Sequence, residues 1–221
     1  YGMSEDVGYS HASLPGKVRV GYVGHSNPGV TTRISEAGEV LVKSPGQMMG
    51  YYKNPEKTAE DMTEDGFLKT GDRGIVDEEG RLKITGRVKE LFKTSKGKYV
   101  SPAPIENKLG EDVHIEAACV SGPSQPQPFA LLLLAPEAQI QAQTAEGKAE
   151  LEAVLAQHLK SVNAQLEDSE KMDFVVVVKD PWTMENGFLT PTMKLKRPSI
   201  EAHYLPKADA WYAMKQKVIW E

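Results

Sequence analysis

Four short clusters in this sequence combine residue types that can do chemistry. Tyr1-Gly2-Met3-Ser4-Glu5 offers an aromatic face, a flexible glycine, a hydroxyl and a carboxylate, a set able to stack on a planar base and hold a metal–phosphate group; an ordinary turn uses the same residues. Thr70-Gly71-Asp72 sets a carboxylate directly after a glycine. Such a carboxylate can accept two hydrogen bonds from a vicinal diol, as in ribose recognition, or simply cap a turn. The stretch Gly86-Arg87 to Val100 gathers Lys89, Lys93, Lys96 and Lys98 around Gly97. It could meet a phosphorylated ligand through backbone and ammonium groups, or be a solvated hairpin whose lysines protect its edge. Asn186 to Arg197 is a polar loop ending in Lys194, Lys196 and Arg197. A lysine on such a loop can neutralise charge building on a phosphate oxygen, and a basic helix start would carry the same residues.

Other candidates carry less. His11, His25, His114 and His203 show no metal-ligand spacing, and His158 sits beside an apolar helical stripe as a packed or flanking residue. Cys119 lies in an apolar strand and reads as a small core residue. Ser4 and Ser101 lack the strand–turn–helix context of a hydrolase nucleophile.

These clusters need elements to hold them. Alternation predicts strands at Lys17–Val20 and Glu39–Val42, and Asn54-Pro55-Glu56 predicts the start of a short helix ending near Glu64-Asp65-Gly66. Gly74–Val76 and Arg81–Thr85 flank the turn signal Asp77-Glu78-Glu79-Gly80 and read as a hairpin. Val88–Val100 reads as a second hairpin, followed by a short helix after Pro102 carrying Ile105 and Leu109. Ala117–Val120, Phe129–Leu134 and Phe174–Val178 are apolar enough to be buried strands. Leu151, Val154, Leu155, Leu159, Val162 and Leu166 form one helical stripe over 146–166, and a last helix is expected from about Pro206 to the end. The pattern is α+β: a β-rich section over 1–86, then an α+β section over 87–221.

Composition sets outer bounds. The 221 residues are 40% apolar and 26% charged, ordinary for a folded chain. The net charge of −5 argues against a general affinity for nucleic acid or an anionic membrane. A single cysteine excludes an internal disulfide framework and Cys-paired zinc sites. The longest apolar run, Phe129–Ala135, is far short of the roughly 20 residues that span a bilayer. With no recognisable leader, a cytoplasmic setting is expected.

Taken in order, the four clusters resemble the later motifs of the AMP-forming adenylate-forming superfamily, particularly its long-chain fatty acyl-CoA synthetases. Tyr1–Glu5 is similar to the family's Tyr-Gly-x-Thr-Glu segment, with Ser4 in place of the commoner Thr, and Thr70-Gly71-Asp72 matches its Thr-Gly-Asp. Gly86-Arg87 through Glu106 resembles the hinge and following loop, with Lys89 where many relatives carry Asp. Leu189-Thr190-Pro191-Thr192-Met193-Lys194-Leu195-Lys196-Arg197 resembles the long-chain form of the catalytic-lysine loop, with Met193 in place of the commoner Gly.

The resemblance implies roles. Tyr1 stacks on adenine, Ser4 and Glu5 face the phosphates and Mg²⁺, and Asp72 with Arg87 holds the ribose. Lys194 meets the α-phosphate region, Lys89 is the hinge, and the loop of Lys93, Gly97 and Lys98 lines the CoA path. The implied protein is a fatty acid–CoA ligase using ATP, Mg²⁺ and CoA. The family's phosphate loop and acyl pocket lie upstream of the Tyr-Gly motif, so the resemblance also implies a preceding N-terminal part, without which this chain is inactive. Two alternatives stay open: an acyl-AMP ligase that loads a carrier-protein phosphopantetheine, and a non-catalytic β-rich interaction module. Peripheral membrane contact also stays open, because fatty substrates partition into bilayers.

Overall fold

A computed structural model describes all of residues 1–221, which form two compact units, Tyr1–Glu90 and Leu91–Glu221. The first unit is built on an antiparallel sheet of order β3-β4-β5-β6: β3 (Thr31–Ile34), β4 (Glu39–Lys43), β5 (Leu68–Val76) and β6 (Leu82–Arg87). A small ladder joins β1 (His11–Ala12) to β2 (His25–Ser26), and helix α1 (Pro55–Glu60) lies between β4 and β5. Asn54 caps α1 through its side chain on the Lys57 amide at 3.1 Å, and Pro55 takes the first helical position. The helix is shorter than expected, ending at Glu60. Val40, Val42 and Leu82 form the small core of this sheet. The β5–β6 turn falls at the expected Asp77–Gly80, where Asp77 accepts from the amides of Glu79 and Arg81 and from the Arg81 side chain.

The expected strand at Lys17–Val20 does not form. No other strand pairs with it, and Val18 and Val20 stand 68% and 96% exposed, so alternation there has no buried face to serve.

The second unit begins with a small hairpin, β7 (Phe92–Lys93) and β8 (Tyr99–Val100), and then α2 (Pro102–Leu109). Its main sheet has the order β12-β11-β10-β9. Strand β9 (Ile115–Ser121) is antiparallel to β10 (Phe129–Leu134), whereas β11 (Val175–Val177) and β12 (Val218–Trp220) add in parallel. Helices cover both faces: α3 (Pro136–Gln141) and α4 (Ala145–Asn163) with α2 on one, α5 (Arg197–Tyr204) and α6 (Ala208–Met214) on the other. This explains why β10 is apolar at every position. Ala130, Leu132 and Leu134 pack with Leu151, Leu155 and Leu159 of α4, and Phe129, Leu131 and Leu133 pack with Ile200, Tyr204 and Trp211 of α5 and α6. The last helix stops at Met214, and the chain ends in a strand rather than the expected helix. Val218 and Ile219 bury on opposite faces beside β11, a gain available only through pairing.

Candidate functional site

In the first unit, Asp72 is the meeting point. Thr70-Gly71-Asp72 lies within strand β5, not in a turn, where the ladder to β4 shifts register between Glu39 and Leu41. Gly71 has φ +73°, outside the usual strand region, and its amide donates to Glu39 Oε1 at 2.9 Å; Thr70 Oγ1 donates to the Val40 carbonyl at 2.8 Å. These bonds fix the bulge that turns Asp72. Its Oδ2 accepts from the Tyr1 hydroxyl at 2.6 Å and its Oδ1 pairs with Arg87 Nε at 3.0 Å. Burial and the bond to Asp72 push the Tyr1 phenol far above its ordinary value, so it remains a donor. Each carboxylate oxygen keeps a further lone pair, enough for a diol to bind without displacing either partner.

Glu5 lies on a 3₁₀ turn, Ser4–Asp6, a few residues along from Tyr1. Asp6, which the sequence did not mark, is buried and holds that turn by accepting from the amides of Met3 and Gly8 at 2.9 and 3.1 Å. Ser4 is exposed. A cleft of about 500 Å³ is lined by Glu5 together with Thr70, Gly71, Arg87 and Lys89. Its far wall carries Tyr51, Lys57 and Asp61 from the α1 region. The Tyr51 hydroxyl lies 2.8 Å from Glu5 Oε1 and 3.1 Å from Asp61 Oδ2, and Lys57 Nζ lies 2.6 Å from Asp61 Oδ1. Burial raises the Asp61 carboxyl, but Lys57 and Tyr51 outweigh it and hold the group below its ordinary value, with Lys89 adding to the effect. Tyr51 and Glu39 are therefore site residues that motif reading missed; their partners lie 46 and 32 positions away.

The remaining candidates lie in the second unit. Gly97, at φ +79°, makes the β7–β8 turn, closed by the Thr94 amide on the Lys98 carbonyl at 2.9 Å. The same hairpin is tied down by the Ser95 amide on Gln125 and the Ser124 amide on Lys93, leaving Lys93 and Lys98 exposed. Lys194 stands exposed at the end of another tight turn: Thr190 donates to its carbonyl at 2.8 Å, and the Lys194 amide donates to Thr190 Oγ1 at 3.0 Å. Leu189 and Leu195 pair across the turn and pack on the core, so the loop is anchored at both sides. Met193 takes φ +60° here, the left-handed conformation that glycine adopts freely. Lys194 and Lys196 are thereby separated: Lys194 belongs to the turn, while the Lys196 amide is bound to the Phe188 carbonyl and precedes α5.

The family model of the AMP-binding enzyme C-terminal domain matches residues 90–216, more than half of the chain.

The chain belongs to the AMP-binding enzymes.

Its similarity to curated members of that family runs beyond the matched domain. It is 35% identical over 224 residues to the long-chain-fatty-acid–CoA ligase FadD15 of Mycobacterium tuberculosis, covering 96% of this chain and 37% of that protein. It is 32% identical to fatty acyl-CoA synthetase A of Dictyostelium discoideum, covering 96% and 36%. The chain thus spans little more than a third of these relatives. Among solved AMP-binding structures, the A-PCP didomain of carboxylic acid reductase from Segniliparus rugosus, in complex with AMP, matches at TM-score 0.72 and 28% identity over 86% of this chain and 28% of that one. ATP-bound MatB from Rhodopseudomonas palustris matches at TM-score 0.68 and 27% identity over 92% and 40%.

No group of three or more His, Cys, Asp or Glu side chains converges as a metal cage. Glu5 offers one carboxylate at the cleft, and one or two protein carboxylates beside phosphate and water oxygens are what Mg²⁺ carried by a nucleotide takes. No helix is long and apolar enough to cross a membrane.

Proposed function

We propose that this chain is the C-terminal part of a fatty acid–CoA ligase, residues 1–86 completing the larger adenylating domain and 87–221 forming the mobile domain. The observation that carries the reading is the similarity to long-chain-fatty-acid–CoA ligases across 96% of the chain, and the Tyr1–Asp72–Arg87 cluster supports it with a built diol site.

The chemistry follows from the poor electrophilicity of a carboxylate. In the first step the fatty carboxylate oxygen attacks the α-phosphorus of ATP, the bond to pyrophosphate breaks, and acyl-AMP forms. Tyr1 stacks on the adenine while Asp72, fixed by Tyr1 and Arg87, takes the ribose hydroxyls. Lys194, on its anchored turn, meets the charge that builds on the α-phosphate. Glu5, with the Ser4 hydroxyl beside it, would hold Mg²⁺, which would supply charge neutralisation at the phosphates. In the second step the CoA sulfur attacks the acyl carbon, AMP leaves, and the thiol proton is lost. Rotation about Lys89 withdraws Lys194 and brings in the loop of Lys93, Gly97 and Lys98 along the CoA path, so that one site serves two reactions.

A second reading has its own support. The likeness to an A-PCP didomain of carboxylic acid reductase favours transfer to a carrier-protein phosphopantetheine. Product analysis of the full-length parent with ATP, Mg²⁺ and mixed fatty acids, with and without CoA, separates the two. Acyl-CoA formed only when CoA is added supports the ligase; acyl-AMP that persists despite CoA supports the carrier-loading enzyme.

A further inference from the structure

We infer that Tyr51 is a positioning residue for Glu5, holding that carboxylate in the nucleotide cleft; the inference rests on the role given to Glu5 above. Tyr51 has one phenolic proton and two carboxylates within reach, Glu5 Oε1 at 2.8 Å and Asp61 Oδ2 at 3.1 Å. Asp61 is already matched by Lys57 at 2.6 Å, so the proton goes to Glu5, the shorter of the two bonds.

The ring is itself held. The Tyr51 amide donates to Thr58 Oγ1 at 2.8 Å, and that hydroxyl donates to the Asn54 carbonyl at 3.0 Å, so the first turn of α1 sets the backbone from which the ring extends. Gly50, at φ +148°, lets the chain approach; a Cβ there would lie 3.0 Å from Thr58 Cγ2 and Oγ1. The same segment also holds the Glu5 backbone, through the Met48 amide on the Glu5 carbonyl at 2.7 Å. Glu5 is thus fixed at both backbone and side chain by residues 48–51, with one oxygen bonded and the other left for a cation. Without the hydroxyl, the carboxylate is free to turn toward Arg87 or Lys89 in the same cleft. An outer partner that orients a metal-binding carboxylate typically changes metal affinity about 10–100-fold.

The test uses the full-length parent and reads binding as well as turnover. ATP binding is followed by calorimetry across a Mg²⁺ titration, and Mn²⁺ bound in the presence of ATP is counted by electron paramagnetic resonance. Tyr51→Phe is expected to raise the half-saturating metal concentration about 10-fold or more, as Glu5→Gln does, with little change in melting temperature. Leu82→Ala, which loosens the sheet core of the same unit without touching Tyr51 or α1, is expected to lower the melting temperature and leave metal dependence alone. The inference is overturned if Tyr51→Phe leaves metal dependence within twofold of wild type while Glu5→Gln raises it. It is also overturned if Leu82→Ala raises metal dependence as much as Tyr51→Phe, since the effect would then be general loosening. If neither Glu5→Gln nor Tyr51→Phe moves it, the metal role of Glu5 falls as well.

Discussion

Arg197 and Glu106 grip one another across the free edge of strand β9. The guanidinium Nη2 lies 2.7 and 2.9 Å from the two Glu106 oxygens, and Val120 sits between the pair, giving its amide to Glu106 at 2.7 Å and taking Arg197 Nη1 on its carbonyl at 2.8 Å. Strand β9 ends the sheet, so these backbone groups have no neighbouring strand. The pair also joins α2, on one face of the sheet, to α5 on the other, and Arg197 begins the helix that follows the Lys194 turn. The cation at the end of this loop is therefore structural, while Lys194 remains exposed.

Only 11% and 14% of the two side chains is exposed, so removing one partner takes the counter-ion from a largely buried charge and the partner from one backbone group of Val120. Glu106→Ala or Arg197→Ala is expected to cost about 3–5 kcal/mol in denaturant unfolding. Lys194→Ala, which buries nothing, is expected to change stability by less than about 0.5 kcal/mol. Equal losses from Arg197→Ala and Lys194→Ala would contradict this division of roles.

Gly147 lies in the first turn of α4, where helix propensity alone favours alanine by about 1 kcal/mol. Packing reverses the sign. A Cβ there would fall 2.1 Å from the Gln141 carbonyl oxygen, backbone that ties α3 to α4. Gly147→Ala is expected to destabilise the chain by about 1–3 kcal/mol, measured by the shift in denaturant midpoint. A stabilised variant would show that α3 can move aside freely.

His11 is buried among hydroxyls, with Nδ1 bonded to Ser10 and Nε2 to Ser26 and Thr32 at 2.8, 3.2 and 3.0 Å. Burial pushes its pKa down from 6.5 to about 4. The unfolded chain therefore binds a proton that the folded chain refuses between those values. Its contribution is fully present above pH 6.5 and is lost as pH falls from 6.5 toward about 4, with a slope of at most about 1.4 kcal/mol per pH unit. Unfolding free energy measured across that window is expected to lose this slope in His11→Gln. An unchanged acid limb would mean that carboxylates alone set it.

Lys89 occupies a 3₁₀ turn, Val88–Glu90. As the proposed pivot it must change φ between the two half-reactions, and proline fixes φ near −65°. In the full-length parent, Lys89→Pro is expected to slow thioester formation from supplied acyl-AMP more than it slows acyl-AMP formation. Both rates surviving intact would put the pivot elsewhere.

What could be read in the sequence was local. Strand β10 was legible because helices on both faces demand an apolar residue at every position, and α4 because Leu151, Leu155, Leu159 and Val162 all turn to one core. Even there Val154, placed in the stripe by spacing, stands 38% exposed at its margin. The four motif clusters were visible as clusters, but what holds them was not. Tyr51 meets Glu5 from 46 positions away, Glu39 meets Gly71 from 32, and Arg197 meets Glu106 from 91. Such pairs follow from topology rather than from periodicity. Strand β12 was hidden for the same reason: three residues carry too little pattern to reveal a strand until β11 lies alongside. A turn cap was one of two readings of Asp72 open in the sequence, and the glycine before it instead makes a bulge inside β5.

The most direct test of the account is the behaviour of Lys194→Ala in the full-length parent, with the two half-reactions measured separately. Acyl-AMP formation, followed by pyrophosphate exchange, is expected to fall about 100-fold or more, the scale of losing a charge-stabilising group at the reacting phosphate. Thioester formation from supplied acyl-AMP and CoA is expected to stay within a few-fold of wild type. Equal loss in both half-reactions would contradict the assignment of Lys194 to the adenylating step alone.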